Sequence, residues 1–123
     1  MENKQKLIRS CCEGVSFLSD IQENLPNRYS LENISNVFKA LSDAIRVKIL
    51  YALLDYEICV GEMANILDLP QSHVSHQLKK LRKYGIVDYE KDKKMSFYYI
   101  KDEYIKTLLK MLLEEKGVKD ELK

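Results

Sequence analysis

The hydrophobic period of this 123-residue chain leaves the helical spacing at one place only, and late. Up to Tyr84 the apolar residues recur at helical spacing; from Ile86 the stretch "IVDYEKDKKMSFYYI" alternates instead, as two short strands around a charged turn at residues 91–94. A chain with that layout must pack several amphipathic helices against one small hairpin.

The helical part divides by its own punctuation. Residues 2–24 carry a stripe of Leu7, Ile8, Cys11, Cys12, Val15, Leu18 and Ile21, weakened at Gly14. "NLPNRYS" is a break, because Pro26 disfavours the helical conformation for Leu25. Ser30 is expected to cap the next helix, with Leu31, Ile34, Val37, Phe38 and Leu41 on one face. Ser42 or Asp43 caps another, carrying Val47, Ile49, Leu50, Leu53 and Leu54. A short helix follows from about Cys59 to Leu67, then a tight turn at "DLP", then a helix from about Gln71 to Tyr84 that Gly85 stops. After the hairpin, Asp102 can cap a last helix with Ile105, Leu108, Leu109 and Leu112 on one side. A short helix, a three-residue turn, a second helix and a hairpin predict a mainly α fold with a small β-hairpin, the winged helix-turn-helix.

The composition, 46% hydrophobic and 32% charged, fits one soluble globular domain. No run of about 18 apolar residues predicts a membrane span. The opening "MENKQKLIRSCCEGVS" has basic residues but no apolar segment behind them, so no secretory signal is expected and the cytoplasm is the expected location. Three cysteines, Cys11, Cys12 and Cys59, make no paired extracellular framework. In a reducing compartment they suggest a metal site, redox chemistry or plain packing.

The net charge of +1 hides a local asymmetry. Between Gln71 and Lys94 the basic residues are Lys79, Lys80, Arg82, Lys83, Lys91, Lys93 and Lys94, against Asp88, Glu90 and Asp92. On the helix "PQSHVSHQLKKLRKYG", Val74, Leu78 and Leu81 point inward and leave Gln71, Ser72, Ser75, His76, Lys79 and Lys83 mostly outward. Gln, Ser and His can donate and accept towards base edges, so Gln71, Ser72, Ser75 and His76, in the N-terminal half, are the expected base readers. Lys79, Lys80, Arg82 and Lys83 are expected on phosphates, and Lys91, Lys93 and Lys94 at the hairpin tip beside the backbone or in the minor groove. The competing readings are a surface histidine at His76 and a solvated lysine tip of the kind that also protects sheet edges.

The segment from "FKALSDAIRVKIL" through "EICVGEMA" and "VSHQLKKLRKYGIV" to "SFYYIKD" resembles the ArsR/SmtB family of metal-responsive repressors, over about residues 30–112. The resemblance implies a homodimer, joined through its N- and C-terminal helices, that sits on a palindromic double-stranded operator and lets go when an effector binds. It divides the chain into an N-terminal helical extension at 1–25, carrying Cys11 and Cys12, and a DNA-binding and dimerisation domain at 30–117. Two positions depart from the family pattern: Pro70 stands where a capping Ser is frequent, and Asp92–Lys93 where the wing tip often has Gly.

The family places effector sites at several points. The zinc site of the last helix would fall on Asp102, Tyr104, Glu115 and Val118, of which only two could ligate, so that site is expected to be absent. A thiolate site follows "ELCVC" on the short helix. Here the motif is "EICVG", so Cys59 matches its first cysteine and Gly61 replaces the second. Cys11 and Cys12 are then the remaining sulfurs, a pattern similar to arsenic-responsive members with an adjacent N-terminal pair. Three soft thiolates suit As(III) or Sb(III); Cd(II) or Pb(II), used by other members with N-terminal cysteines, is the alternative, and a disulfide or persulfide switch a further one. Buried packing cysteines are the plain alternative. An enzyme is not expected: the chain has no Gly-rich phosphate loop, paired-carboxylate signature or His–Cys spacing that suggests a nucleophile. A winged helix used only to bind protein would show an apolar patch where this one shows Gln, Ser, His and Lys.

Overall fold

The computed structural model describes residues 17–116, with side chains through Glu114. Its elements run α1 (Phe17–Asn24), α2 (Arg28–Ala40), α3 (Ala44–Ala52), β1 (Ile58–Cys59), α4 (Val60–Leu67), α5 (Gln71–Lys83), β2 (Val87–Asp92), β3 (Met95–Ile100) and α6 (Glu103–Lys116). This is the winged helix-turn-helix order. The expected stripe at Leu7, Ile8, Cys11, Cys12 and Val15 lies outside the described residues.

Helix starts follow the polar residues that can satisfy free N–H groups. Asn27, not Ser30, begins α2: its Oδ1 accepts from the Ser30 N–H at 2.8 Å, so the helix opens nearly a turn before the expected cap. Asp43 caps α3 by accepting from the Arg46 N–H at 3.2 Å. Asp102 precedes α6 and accepts from the Tyr104 N–H at 2.9 Å. Pro70 has no side chain to give; its carbonyl takes the His73 and Val74 N–H groups at 3.1 and 3.2 Å. The α4–α5 turn is closed by Asp68 in the left-handed region (φ 56°), which Asp tolerates better than most residues. Gly85, at φ 79°, ends α5 and turns the chain into β2.

The sheet has three strands, in the order β1-β3-β2, all antiparallel. The hairpin β2–β3 was expected; β1 is two residues long, too short for an alternating pattern to reveal. It exists because β3 offers it an edge, with Ile58 opposite Tyr98 and Cys59 opposite Phe97. The hairpin turn narrows to Lys93 and Lys94, since Asp92 already pairs with Met95. Lys93 adopts φ 62°, where glycine would be unstrained.

One core joins these parts. Ile49 and Leu50 of α3, Leu53 at its C-cap, Met63 of α4, Val74, Leu78 and Leu81 of α5, Val87 of β2 and Leu109 of α6 are fully buried. The Tyr51 hydroxyl donates to the Leu109 carbonyl at 2.6 Å and fastens α6 to α3. By contrast, Phe17, Leu18 and Ile21 of α1 and Leu31, Ile34 and Phe38 of α2 are exposed, although their spacing is that of buried helix faces.

Candidate nucleic-acid interface and sensor site

Helix α5 is held by its inward stripe. Val74, Leu78 and Leu81 are buried, as their spacing predicts, and Gln77 joins them at 8% exposure. Gln77 lies three residues after Val74 and four before Leu81, so helical spacing alone puts it on the inner face. Its Oε1 accepts from Arg46 Nη1 at 3.0 Å. Arg46, 7% exposed, also donates from Nε to the Ala40 carbonyl at 3.1 Å and from Nη2 to the Lys39 carbonyl at 2.9 Å. Its guanidinium lies 5.9 Å from the Tyr84 ring centre. One buried side chain thus ties the carbonyls at the end of α2, of which that of Lys39 also accepts from the Ser42 hydroxyl at 2.8 Å, to the middle of α5.

The outer face is polar. Gln71, Ser72, His76, Lys79, Lys80, Arg82 and Lys83 are exposed and Ser75 is half-buried. Apolar exposure of the kind that marks a protein-docking helix is missing from this face. Lys91, Lys93 and Lys94 are exposed at the far end of the hairpin. Arg82 is already engaged: its Nε lies 3.1 Å from Asp88 Oδ1 and its guanidinium stacks 4.7 Å from the Tyr89 ring centre. It braces β2 against α5 while its side chain stays 53% exposed. The Asp88 carboxyl is held below its ordinary value, first by the Tyr89 N–H it accepts at 2.9 Å; burial opposes this, and Arg82 and Lys101 add to the lowering.

Cys59 sits at a junction. It ends β1, hydrogen-bonded to the wing strand β3, and it is the residue from which α4 starts. Its thiol is unpaired, 6% exposed, and makes no capping bond. Gly61, the second residue of α4, faces α5: a Cβ there would lie 3.6 Å from Gln71 Nε2. Among the described residues no three His, Cys, Asp or Glu side chains come together as a metal site. Cys11 and Cys12 lie outside those residues.

Residues 43–89, the span from the α3 cap to the first wing strand, match the profile "Bacterial regulatory protein, arsR family". The cadmium resistance transcriptional regulatory protein CadC homolog of Staphylococcus aureus is 42% identical over 88 residues, which cover 70% of this chain and 73% of that one. The chain belongs to the ArsR family. Among solved structures, HlyU from Vibrio cholerae superposes with a TM-score of 0.66 at 31% identity, covering 72% of this chain and 96% of that one. The homodimeric winged helix-turn-helix domain of Mb0332 from Mycobacterium bovis gives 0.66 at 25% identity, covering 80% and 90%. As an ArsR-family protein the chain is a DNA-binding transcriptional regulator and not an enzyme, in keeping with the sequence. No helix of the described residues is long and apolar enough to cross a membrane.

Arg46 and Gln77 are anchoring residues that the sequence pattern does not single out. The helical phase of Gln77 was a usable signal; the acceptors of Arg46 at the end of α2 were not, because they are carbonyls brought close by the α2–α3 turn.

Proposed function

We propose that this protein is a homodimeric repressor that reads its operator with Gln71, Ser72, Ser75 and His76 and that a thiolate-bound metalloid, As(III) or Sb(III), releases it. Lys79, Lys80, Arg82, Lys83, Lys91, Lys93 and Lys94 carry the phosphate contacts. The observation that supports the effector reading most directly is the position of Cys59, where the wing strand and the first helix of the helix-turn-helix meet. Any pull on that residue is felt by β3 through backbone hydrogen bonds and by α5 through α4.

The donor set is three sulfurs: Cys59 with Cys11 and Cys12 from the N-terminal extension. Three soft thiolates close a trigonal pyramid around a trivalent metalloid, whereas Cd(II) or Zn(II) calls for a fourth ligand. The single thiol on α4, with Gly61 as its near neighbour, is what favours the three-sulfur reading.

The exposed apolar residues of α1 and α2 suit burial against a second copy, as does the exposed pair Met111 and Leu112 on α6. In a dimer arranged so, Arg46 links the end of α2 to the reading helix, so the spacing of the two α5 helices follows the packing of the dimer. Tying the extension to Cys59 favours a dimer geometry that fits DNA poorly. The coupling is reciprocal, so operator DNA weakens effector binding by the same factor.

A second reading has a specific observation behind it. The S. aureus relative is named for cadmium resistance, and so is a CadC of Listeria innocua at 40% identity over 84 residues, covering 68% of this chain and 71% of that one. Cd(II) or Pb(II) is then the effector, with water or another side chain completing the site.

The deciding experiment titrates arsenite, antimonite, cadmium and lead into reduced protein on labelled operator, with sulfur-to-metal charge-transfer absorbance followed in parallel. Release by arsenite that disappears in Cys59→Ser and in the Cys11→Ser/Cys12→Ser double variant supports the metalloid. Release by arsenite that survives either variant defeats the thiolate site. Release by cadmium or lead alone selects the second reading.

A further inference from the structure

Between the end of α5, the start of β2 and the residue that leaves β3 lies an open cleft of about 450 Å³. It is lined by Lys79, Arg82, Lys83, Val87, Asp88 and Lys101. Four cations therefore face one carboxylate, and that carboxylate is paired with Arg82 at 3.1 Å and accepts the Tyr89 N–H as well. The cleft keeps a strong net positive charge over a concave surface, which concentrates the field on whatever anion enters. Lys101 is the member that belongs to neither the reading helix nor the wing tip. Its backbone is fixed there by the bond from its N–H to the Ile86 carbonyl at 3.0 Å, next to the Val87–Ile100 pair that closes the hairpin.

The cleft lies at the far end of the reading stripe. Ser72, Ser75, Lys79 and Lys83 follow one another at three- and four-residue steps along α5. At about 1.5 Å per residue, Ser72 and Lys83 are roughly 16 Å apart along the helix. The major groove is about 12 Å wide. A helix whose N-terminal half sits among the bases therefore brings Lys83 and its neighbours to the groove rim, where the sugar–phosphate strand runs. The tip at Lys93 and Lys94 is elsewhere, just past Asp92, which is five residues along β2 from Val87, or about 17 Å at strand rise.

We infer that this cleft seats a backbone phosphate of the operator duplex at the flank of each half-site, and that Lys101 is a phosphate-contacting residue beside Lys79 and Lys83. The inference rests on the operator reading proposed above and adds a contact outside both the recognition helix and the wing tip. Asp88 shapes the cleft by holding Arg82 on its wall.

The test is the salt dependence of operator binding by the full chain, compared for the wild type, Lys101→Ala and Lys101→Arg, on the operator and on a scrambled duplex. Lys101 is exposed, and its backbone bond survives substitution. Each phosphate contact contributes about 0.9 to the slope of log K against log salt. Lys101→Ala should flatten the slope by roughly 0.9 per half-site, weaken both duplexes alike and leave their affinity ratio unchanged. Lys101→Arg should restore the slope. Ethylation of the flanking phosphate should interfere with the wild type and no longer with Lys101→Ala. A slope unchanged in Lys101→Ala, while the wild type still prefers its operator, overturns the phosphate cleft and leaves the operator reading standing. A wild type with no preference for any duplex overturns both.

Discussion

Arg46 Nη1 donates to Gln77 Oε1 at 3.0 Å, across a sequence separation of 31 residues and inside the protein. The guanidinium has other acceptors at Ala40 and Lys39, so the two partners are not equivalent. Gln77→Met removes one acceptor and keeps the volume; it is expected to cost about 1 kcal/mol. Arg46→Met strands the Ala40 carbonyl as well as the glutamine, whereas the Lys39 carbonyl keeps the Ser42 hydroxyl at 2.8 Å. That substitution is expected to cost about 3 kcal/mol. Urea denaturation measures both. Equal losses would show that Arg46 acts through Gln77 alone. Because α5 also loses its tether, Gln77→Met should weaken operator binding more than its stability loss explains.

Base reading and phosphate contact separate by position on α5. Gln71→Ala and Ser75→Ala should narrow the affinity gap between operator and scrambled duplex, by about 1 kcal/mol or more for each contact that is truly base-directed. Lys79→Ala should weaken both duplexes alike and flatten the salt slope. Binding isotherms at several salt concentrations distinguish the two patterns, and the reverse assignment would exchange the roles of the residues.

The wing tip carries a conformational cost that function can explain. Lys93 holds φ 62°, a region that costs an ordinary residue about 1 kcal/mol. Lys93→Gly should therefore leave thermal stability unchanged or raise it slightly, while lowering DNA affinity through the lost charge. A variant that loses stability, or binds as tightly as the parent, argues against a phosphate role for this lysine.

Gly61 gives the effector reading a gain-of-function test. A Cβ at this position meets Gln71 Nε2 at 3.6 Å, ordinary contact, so Gly61→Cys should fold as the parent does. It would put a second thiol on α4. Cadmium binding, followed by charge-transfer absorbance, should tighten relative to arsenite, because a fourth sulfur completes a tetrahedral set. An unchanged preference would indicate that this face of α4 does not reach the metal.

Two groups predict the pH limits of stability. The Asp88 carboxyl titrates below its ordinary 3.8, so its stabilising pairing is present above that pH and is lost as pH falls through the folded-state value. Burial raises the Tyr51 hydroxyl above 10.0, so its contribution is present below pH 10 and is lost as pH rises further. Asp88→Asn should remove part of the acid dependence. Tyr51→Phe should cost about 1 kcal/mol at neutral pH, from the lost bond to Leu109, and remove part of the alkaline dependence. Stability measured across pH for the parent and each variant checks both.

The periodicity of the sequence alone determined the helices, the hairpin and the polar face of α5, because each depends on residues a few positions apart. Asp43, Asp102 and Gly85 punctuate the chain as read, since capping and left-handed turns are local chemistry. The start of α2 was misplaced by the same kind of argument: Asn27 and Ser30 can both cap, and only the folded backbone chose. Tertiary structure decided the rest. It gave β1 a partner in β3, placed Cys59 where wing and helix-turn-helix meet, buried Arg46 against Gln77 of another helix, and brought Lys101 to the end of α5. Those relationships join residues tens of positions apart, and no local preference encodes them; they appear when one shared core fixes where the separate elements end.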